Sequence, residues 1–340
     1  MSDISAMKIA VQVGLPMLLF APHESELVIH GITDERISPS VDYIRYIFLP
    51  FLKRHWRIDC AVDVLKHGIE PFGQGEVILR IKPLRDRLRC ISLLERGNII
   101  SFTAVIWTAP QFHPKVRSPT LPDYLRKENV SDYQASEILE HVILDQLSRT
   151  EYTCLPVKFL HNVEPSCTPC GLGILLFAET CLGHRIAVST PVATTSINAT
   201  AELVQVLHTK GNELVARLMK EIENGGVLDH NLSDQIVIFM ALACTNRSHP
   251  MLKERRAECL CQDRKMCQVN QGCQVLLSYL SIHATKAMRT MEMMLGDIVF
   301  TTEKVENGII LRCESKCDTK LCREELIRQE WCDRIMKESH

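Results

Sequence analysis

"GGVLDHNLSDQIVIFMAL" (residues 225–242) sets a polar cluster, Asp229, His230, Asn231, Asp234 and Gln235, directly against an apolar run. The paired glycines end whatever precedes them, because glycine takes the backbone angles that close a helix. Leu232, Ile236, Phe239, Met240 and Ala243 recur at helical spacing, which predicts a helix with one buried stripe. Asn231, Asp234 and Gln235 fall at i, i+3 and i+4, so they share one face of the first turn. Two readings follow. In one, Asp229 or Asn231 caps the free N–H groups and Asp234 favours the positive helix end. In the other, the first turn carries a binding site. Gln235 leans toward the second, since a cap has no use for a further amide. The residues alone leave both open.

Working outward, "NATAELVQVLHTKGNELVARLMKEIENGG" predicts a long helix or helix pair ended by Gly225 and Gly226. Before it, "IISFTAVIWTA", "LPVKFLH", "GLGILLFAET" and "RIAVSTPVA" read as strands, with "YQASEILEHVILDQLSRT" as an amphipathic helix among them. Nearer the N-terminus, residues 8–21 predict an apolar helix with Gln12 as its one polar side chain. A strand over 26–32 follows, then a helix opened by Pro39 and Ser40, a strand ending at Gly68, a glycine turn (Gly73, Gly75), and a strand with Val77, Leu79 and Ile81 on one face. The charge-rich "PLRDRLRC" (83–90) reads as a boundary. Beyond 242, "VLLSYLSIHATKAMRTMEMML" passes from a strand-like to a helical run with His283 at the junction, and "DIVFTTEKVENGIILRCE" predicts a hairpin turning near Asn307-Gly308. This order of elements predicts the α+β class.

With 340 residues, 46% of them hydrophobic and 24% charged, the chain has a soluble globular composition and room for two domains. A net charge of −2 excludes global basicity, so contact with nucleic acid requires a local patch. Arg54, Arg57, Arg80, Lys82, Arg85, Arg87 and Arg89 form the best one; Lys253, Arg255, Arg256 and Lys265 form a second. Few aromatics interleave with them, so base stacking is not indicated. The apolar N-terminal run is broken by Pro16, too short to span a bilayer, and without a signal peptide's basic start. The fifteen cysteines therefore read as reduced thiols in the cytoplasm or nucleus. The densest group, Cys259, Cys261, Cys267 and Cys273, lacks the paired C-x2-C knuckles that aim two sulfurs at one ion, which favours loop thiols over zinc. Cys167 and Cys170 have redox spacing but run from a loop into a strand, so they read as structural. The tail's Cys313, Cys317, Cys322 and Cys332 suggest no site.

Several stretches resemble one family in the right order. "VQVGLPMLLFA" is similar to its M-Q-V-x-x-P-x-L-L-F segment, and "HGIEPFGQGEVILRIKPL" to R-G-x-Y-P-x-G-G-G-E-V-I-V-R. "GGVLDHNLSDQIVIFMALA" follows a stretch ending D-Q-L-I-x-F-M-A-L-A, and "SIHATKAM" follows L-H-T-Q-T-A-I. From residue 8 to about 313 the chain resembles the RNA 3'-terminal phosphate cyclases. The resemblance implies a large domain of repeated α+β units, each a small sheet backed by helices, interrupted by a smaller α/β insert. The large domain would be 1–84 with 226–340, without the family's first repeat, and the insert 85–225. It implies ATP and Mg2+, with His283 attacking the α-phosphate to form a covalent histidine–AMP. AMP then passes to an RNA 3'-phosphate, and the 2'-hydroxyl displaces it to close a 2',3'-cyclic phosphate. Nucleotide contacts are carried over to Gln12, Pro39, Asn231, Asp234 and Gln235, and no residue is assigned to a metal.

The sequence departs from the family's pattern in places. Asn231 replaces a Tyr and loses stacking on adenine. G-G-T-N is "GITD" (31–34), the triple glycine is Gly73-Gln74-Gly75, and "HATK" brings in Lys286. "GITDERISPSVD" resembles the catalytically silent cyclase-like branch that acts as a scaffold in ribosome biogenesis, which is the alternative reading. That branch lacks the histidine and the D-Q pair; both stand here as His283 and Asp234-Gln235. The enzymatic branch is the better match. It implies RNA with a 3'-phosphate end as partner, no membrane, and a nucleoplasmic location with a cytoplasmic share.

Overall fold

Two prolines shape the N-terminal helices. The computed structural model describes residues 10–36, 38–71, 73–85, 87–109, 116–117, 132–163, 167–168, 170–193, 200–245 and 272–315. A π-helical turn, Ala10–Gly14, runs into α1 (Leu15–Leu18). Pro16 has no N–H to give the Gln12 carbonyl, and the turn before it widens. After β1 (Ser25–Gly31) the device recurs in α2, which starts as Val41–Tyr43, widens over Ile44–Phe48 and continues as Leu49–Trp56. Pro50 cannot donate to the Tyr46 carbonyl, and Arg185 Nη1 donates to it instead at 2.9 Å. Ser40 caps this helix, its Oγ accepting the Tyr43 N–H at 3.2 Å. β2 (Cys60–Gly68) and β1 flank β3 (Gly75–Ile81), with β9 (Cys167–Thr168) beyond β2. Val77, Leu79 and Ile81 are buried, as their alternation predicts. Gly75 pairs with Gly31, and a Cβ on it would stand 2.5 Å from the Thr33 methyl, so only glycine fits.

The middle of the chain supplies β4 (Ser92–Leu93), β5 (Ile99–Thr108), β6 (Val116–Arg117), β7 (Asp132–Tyr133), α3 (Ala135–Ser148), β8 (Val157–Val163), β9 (Cys167–Thr168), β10 (Gly171–Thr180), β11 (Arg185–Ala193) and α4 (Thr200–Glu223). A sheet forms in the order β11-β10-β5-β8, its parallel pair β5-β8 joined across α3. β10 is buried along almost its whole length, and its alternation splits between two cores. Leu175 and Phe177 join a core drawn mainly from residues 11–93 and 227–313. Leu172, Ile174, Leu176 and Ala178 join one drawn from Ile69 and residues 99–222. A strand covered on both faces reads as an unbroken apolar run, which is why "GLGILLFAET" looks as it does. α4 is one helix rather than a pair, followed by Gly225 at φ +82°. Cys167 lies in β9, paired in parallel with β2.

The last third gives α5 (His230–Cys244), β12 (Cys273–Leu277), α6 (Ile282–Leu295), β13 (Ile298–Val305) and β14 (Gly308–Ser315). The sheet runs β13-β14-β12-β4. α5 is buried on more than one stripe: Ser233, Gln235, Val237, Ala241 and Cys244 are enclosed as well as Leu232, Ile236, Phe239 and Met240, while Ala243 is half-buried. The reason is that α5 has neighbours on several sides. It packs against α6, β12 and β14, and its Phe239 ring lies 6.0 Å from Phe48 and 5.4 Å from Trp56 of α2. Such aromatic pairs add about 0.5–1.5 kcal/mol each beyond their area. The class is α+β, built of small sheets backed by helices. No described helix is long and apolar enough to cross a membrane. Lys253, Arg255, Arg256 and Lys265, and Cys259, Cys261, Cys267, Cys317, Cys322 and Cys332, lie outside the described residues.

Candidate active site

The cap of α5 is Asp229, not Asn231. Fully buried, it receives three donors: the Tyr43 hydroxyl at 2.6 Å and the Leu232 N–H at 3.0 Å on Oδ1, and the Ala187 N–H at 3.0 Å on Oδ2. Burial raises its carboxyl to about 6 against the downward pull of the three donors. Burial and the neighbouring Asp229 charge raise the Tyr43 phenol well above its ordinary value, so it stays a donor. One carboxylate thus ties together α5, α2 and β11. The cap reading is correct for Asp229, and the other polar residues of the turn are left for other work.

Gln235 is buried and faces a shallow apolar recess lined with Val11, Pro39, Tyr43, Ile44 and Phe48. Pro39 and Gln235 therefore meet, from segments far apart in the chain. Gln12 follows Val11 on the π-helical turn and is half-buried; Asn231 is half-buried on the first turn of α5. The side chains of Gln12, Asn231 and Gln235 have no hydrogen-bond partner among the described residues.

Asp234 faces α6. Ser281 caps α6, its Oγ accepting the Ala284 N–H at 2.8 Å while donating to Asp234 Oδ1. His283 is the second residue of α6 and is exposed. The expected strand–helix junction is therefore real, and the histidine stands on the turn whose cap is bonded to α5. The N–H groups of Ile282 and His283 have no partner within the helix, which leaves its positive end open.

Beside α5, Val188, Arg217, Lys220, Glu221, His230 and Tyr279 line an open cleft. His230 Nδ1 lies 3.0 Å from Glu221 Oε1, which raises the imidazole's pKa, and its ring stacks on Tyr279 at 6.1 Å. Tyr43, Ser281, Glu221 and Tyr279 are absent from the sequence-based site. Ser281 alone carried a local signal, a serine ahead of a helical run; the others depend on long-range packing.

The first basic patch is largely one cleft, in which Arg54, Arg57, Lys82, Arg85, Arg87 and Arg89 stand around Trp56 and Asp59. Arg80 is not part of it: it pairs with Glu26 and Asp63 across β1, β2 and β3. Some of the remaining cations are structural. Arg54 donates to the Gly183 and Leu182 carbonyls at 2.5 and 2.6 Å, Arg87 to the Thr245 carbonyl at 2.6 Å, and Lys82 to Asp59 at 2.7 Å. The Arg57, Arg85 and Arg89 guanidiniums have no partner among the described residues.

A family model described as RNA 3'-terminal phosphate cyclase matches residues 5–300. The chain is 30% identical over 235 residues to an RNA 3'-terminal phosphate cyclase of Staphylothermus marinus, covering 69% of this chain and 58% of that protein. It is 24% identical over 306 residues to a probable RNA 3'-terminal phosphate cyclase of Dictyostelium discoideum, covering 89% and 59%. Against an RNA 3'-terminal phosphate cyclase of Drosophila melanogaster it is 26% identical over 235 residues, covering 68% and 56%. The chain thus spans less than two thirds of the length of these relatives. With the α+β architecture and a family match over most of its residues, the chain belongs to the RNA 3'-terminal phosphate cyclase family.

Proposed function

We propose that this chain converts an RNA 3'-terminal phosphate to a 2',3'-cyclic phosphate at the expense of ATP, through AMP carried on His283. The observation that supports this best is the bond from Ser281 to Asp234, which couples the histidine's helix to the turn bearing Gln235. The open amides of Gln12, Asn231 and Gln235 suit the polar edge of the adenine and the ribose. The open N-terminus of α6 favours the phosphate next to the ring. A neutral imidazole is a competent nucleophile near pH 7. Its nitrogen forms a bond to the α-phosphorus as the bond to pyrophosphate breaks. An RNA 3'-phosphate oxygen then takes the AMP and frees the imidazole. The terminal 2'-hydroxyl attacks that phosphate, loses its proton to solvent, and expels AMP.

Among the described residues no carboxylates converge into a metal cage. Mg2+ would arrive with the triphosphate and neutralise phosphate charge there. The RNA strand fits the cleft with Arg57, Arg85 and Arg89, whose uncommitted guanidiniums suit phosphates.

Incubating the full chain with Mg2+ and ATP labelled in its α-phosphate tests this. An acid-labile label on the protein, absent from His283→Ala, is the expected result; His283 is exposed, so that variant should fold. A folded protein that takes up no label overturns the proposal. Retained RNA binding in the same sample would then favour the scaffold reading, which the basic cleft also supports.

A further inference from the structure

The C-terminal end of α5 gathers thiols from segments distant in sequence. Cys90 precedes β4, Cys244 ends α5 and Cys273 opens β12; their three Sγ atoms lie within 4.8 Å of one another. Cys90 and Cys244 are 3.7 Å apart at sulfur. Cys313 of β14 stands directly opposite Cys273 in the antiparallel register, so both side chains point to the same face. Cys244, Cys273 and Cys313 are buried and Cys90 is exposed, which leaves one way in from solvent.

Free cysteine is a common core residue, and burial alone would call for nothing more. Convergence is different. Zinc bound by thiolates at about 2.3 Å in a tetrahedron holds its sulfurs about 3.8 Å apart. The Cys90–Cys244 separation is already at that value, and too long for a disulfide.

We propose that Cys90, Cys244 and Cys273, with Cys313 as fourth donor, bind one Zn2+ in a structural site. Each thiol that enters gives its proton to solvent, and the metal joins α5, β12, β14 and the segment before β4. A site closed by four thiolates leaves no open position for catalysis. The proposal is independent of the cyclase reading, because metal content is measured without any turnover.

The test uses the full chain, purified reduced and without chelator. One zinc per chain is expected, surviving desalting and released by a thiol-specific mercurial. Replacing it with Co2+ should give the intense thiolate-to-cobalt charge-transfer band of a tetrahedral site. Cys244→Ser should lose the metal. Cys90→Ser, on the exposed side, keeps the fold and should weaken the band by about a quarter, one thiolate in four. The triple variant Cys259→Ser, Cys261→Ser, Cys267→Ser should retain both zinc and band. A folded chain that takes up neither metal overturns the site. So does metal that persists in Cys244→Ser but is lost in the triple variant, and so does a Cys90–Cys244 disulfide recovered without reductant.

Discussion

The two ends of α5 carry opposite chemistry. At its N-terminus one buried carboxyl group, Asp229, binds three donors, while Asp234 and Gln235 turn to separate neighbours. At its C-terminus soft sulfurs collect from several segments. The first end could be read along the chain, because capping and i, i+3, i+4 faces are local geometry. The second could not. Cys273 belongs by spacing to the group at 259–273, yet in three dimensions it sits with Cys90 and Cys244. Cys313, set aside with the tail, is the cross-strand partner of Cys273. Pairing across a sheet decides which thiols meet, and no run of residues records it.

The sharpest way to break this comparison is Asp229→Ala. It strips the helix cap and leaves the Tyr43 hydroxyl and the Ala187 N–H buried without an acceptor, so a loss of about 3–5 kcal/mol is expected in urea unfolding. A cost under about 1 kcal/mol would mean the N-terminal end is an ordinary surface cap. Tyr43→Phe removes one buried bond to a charged group and should cost about 1.5–3 kcal/mol by the same measurement. Its recess stays apolar, so uptake of α-labelled ATP should survive it. Ser281→Ala deletes the cap of α6 and releases Asp234. About 1 kcal/mol of stability should go, and labelling of His283 should fall more than stability explains if the coupling matters. Equal labelling in that variant would separate Asp234 from the histidine's task.

The smallest effect concerns pH. Glu221 raises the pKa of His230 above its ordinary 6.5 in the folded chain. The pair's contribution is therefore complete below that value and fades as pH climbs through the raised one. Both side chains are partly screened, so the whole contribution stays below about 1 kcal/mol. Thermal midpoints measured from about pH 6 to pH 8 should decline more in the wild type than in Glu221→Gln. Parallel curves would remove the pair from the account.

Most elements were legible in advance. The alternation of Val77, Leu79 and Ile81, the helix opened at Ser40, the 298–315 hairpin and the strand-to-helix passage at Ser281 all follow from residue spacing and turn chemistry. Of the site, Gln12, Pro39, Asn231, Asp234, Gln235 and His283 came from sequence, and Pro39 with Gln235 do line one recess. Arg80 was misplaced because carboxylates on the two flanking strands, Glu26 and Asp63, hold its guanidinium, and sequence spacing does not record which strands lie side by side. The stripe on α5 was too narrow because periodicity reports that a face is buried, not how many neighbours a helix has.

By itself the sequence determined the α+β class, the helix and strand order, and the polar first turn of α5, since each rests on forces between residues a few positions apart. Tertiary structure alone decided that Asp229 is the cap that also holds Tyr43 and Ala187, that Ser281 joins Asp234, and that three distant thiols share one corner with Cys313 on the adjoining strand. Those outcomes depend on which surfaces exclude water against each other, and burial of that kind is settled only when the sheets and helices close.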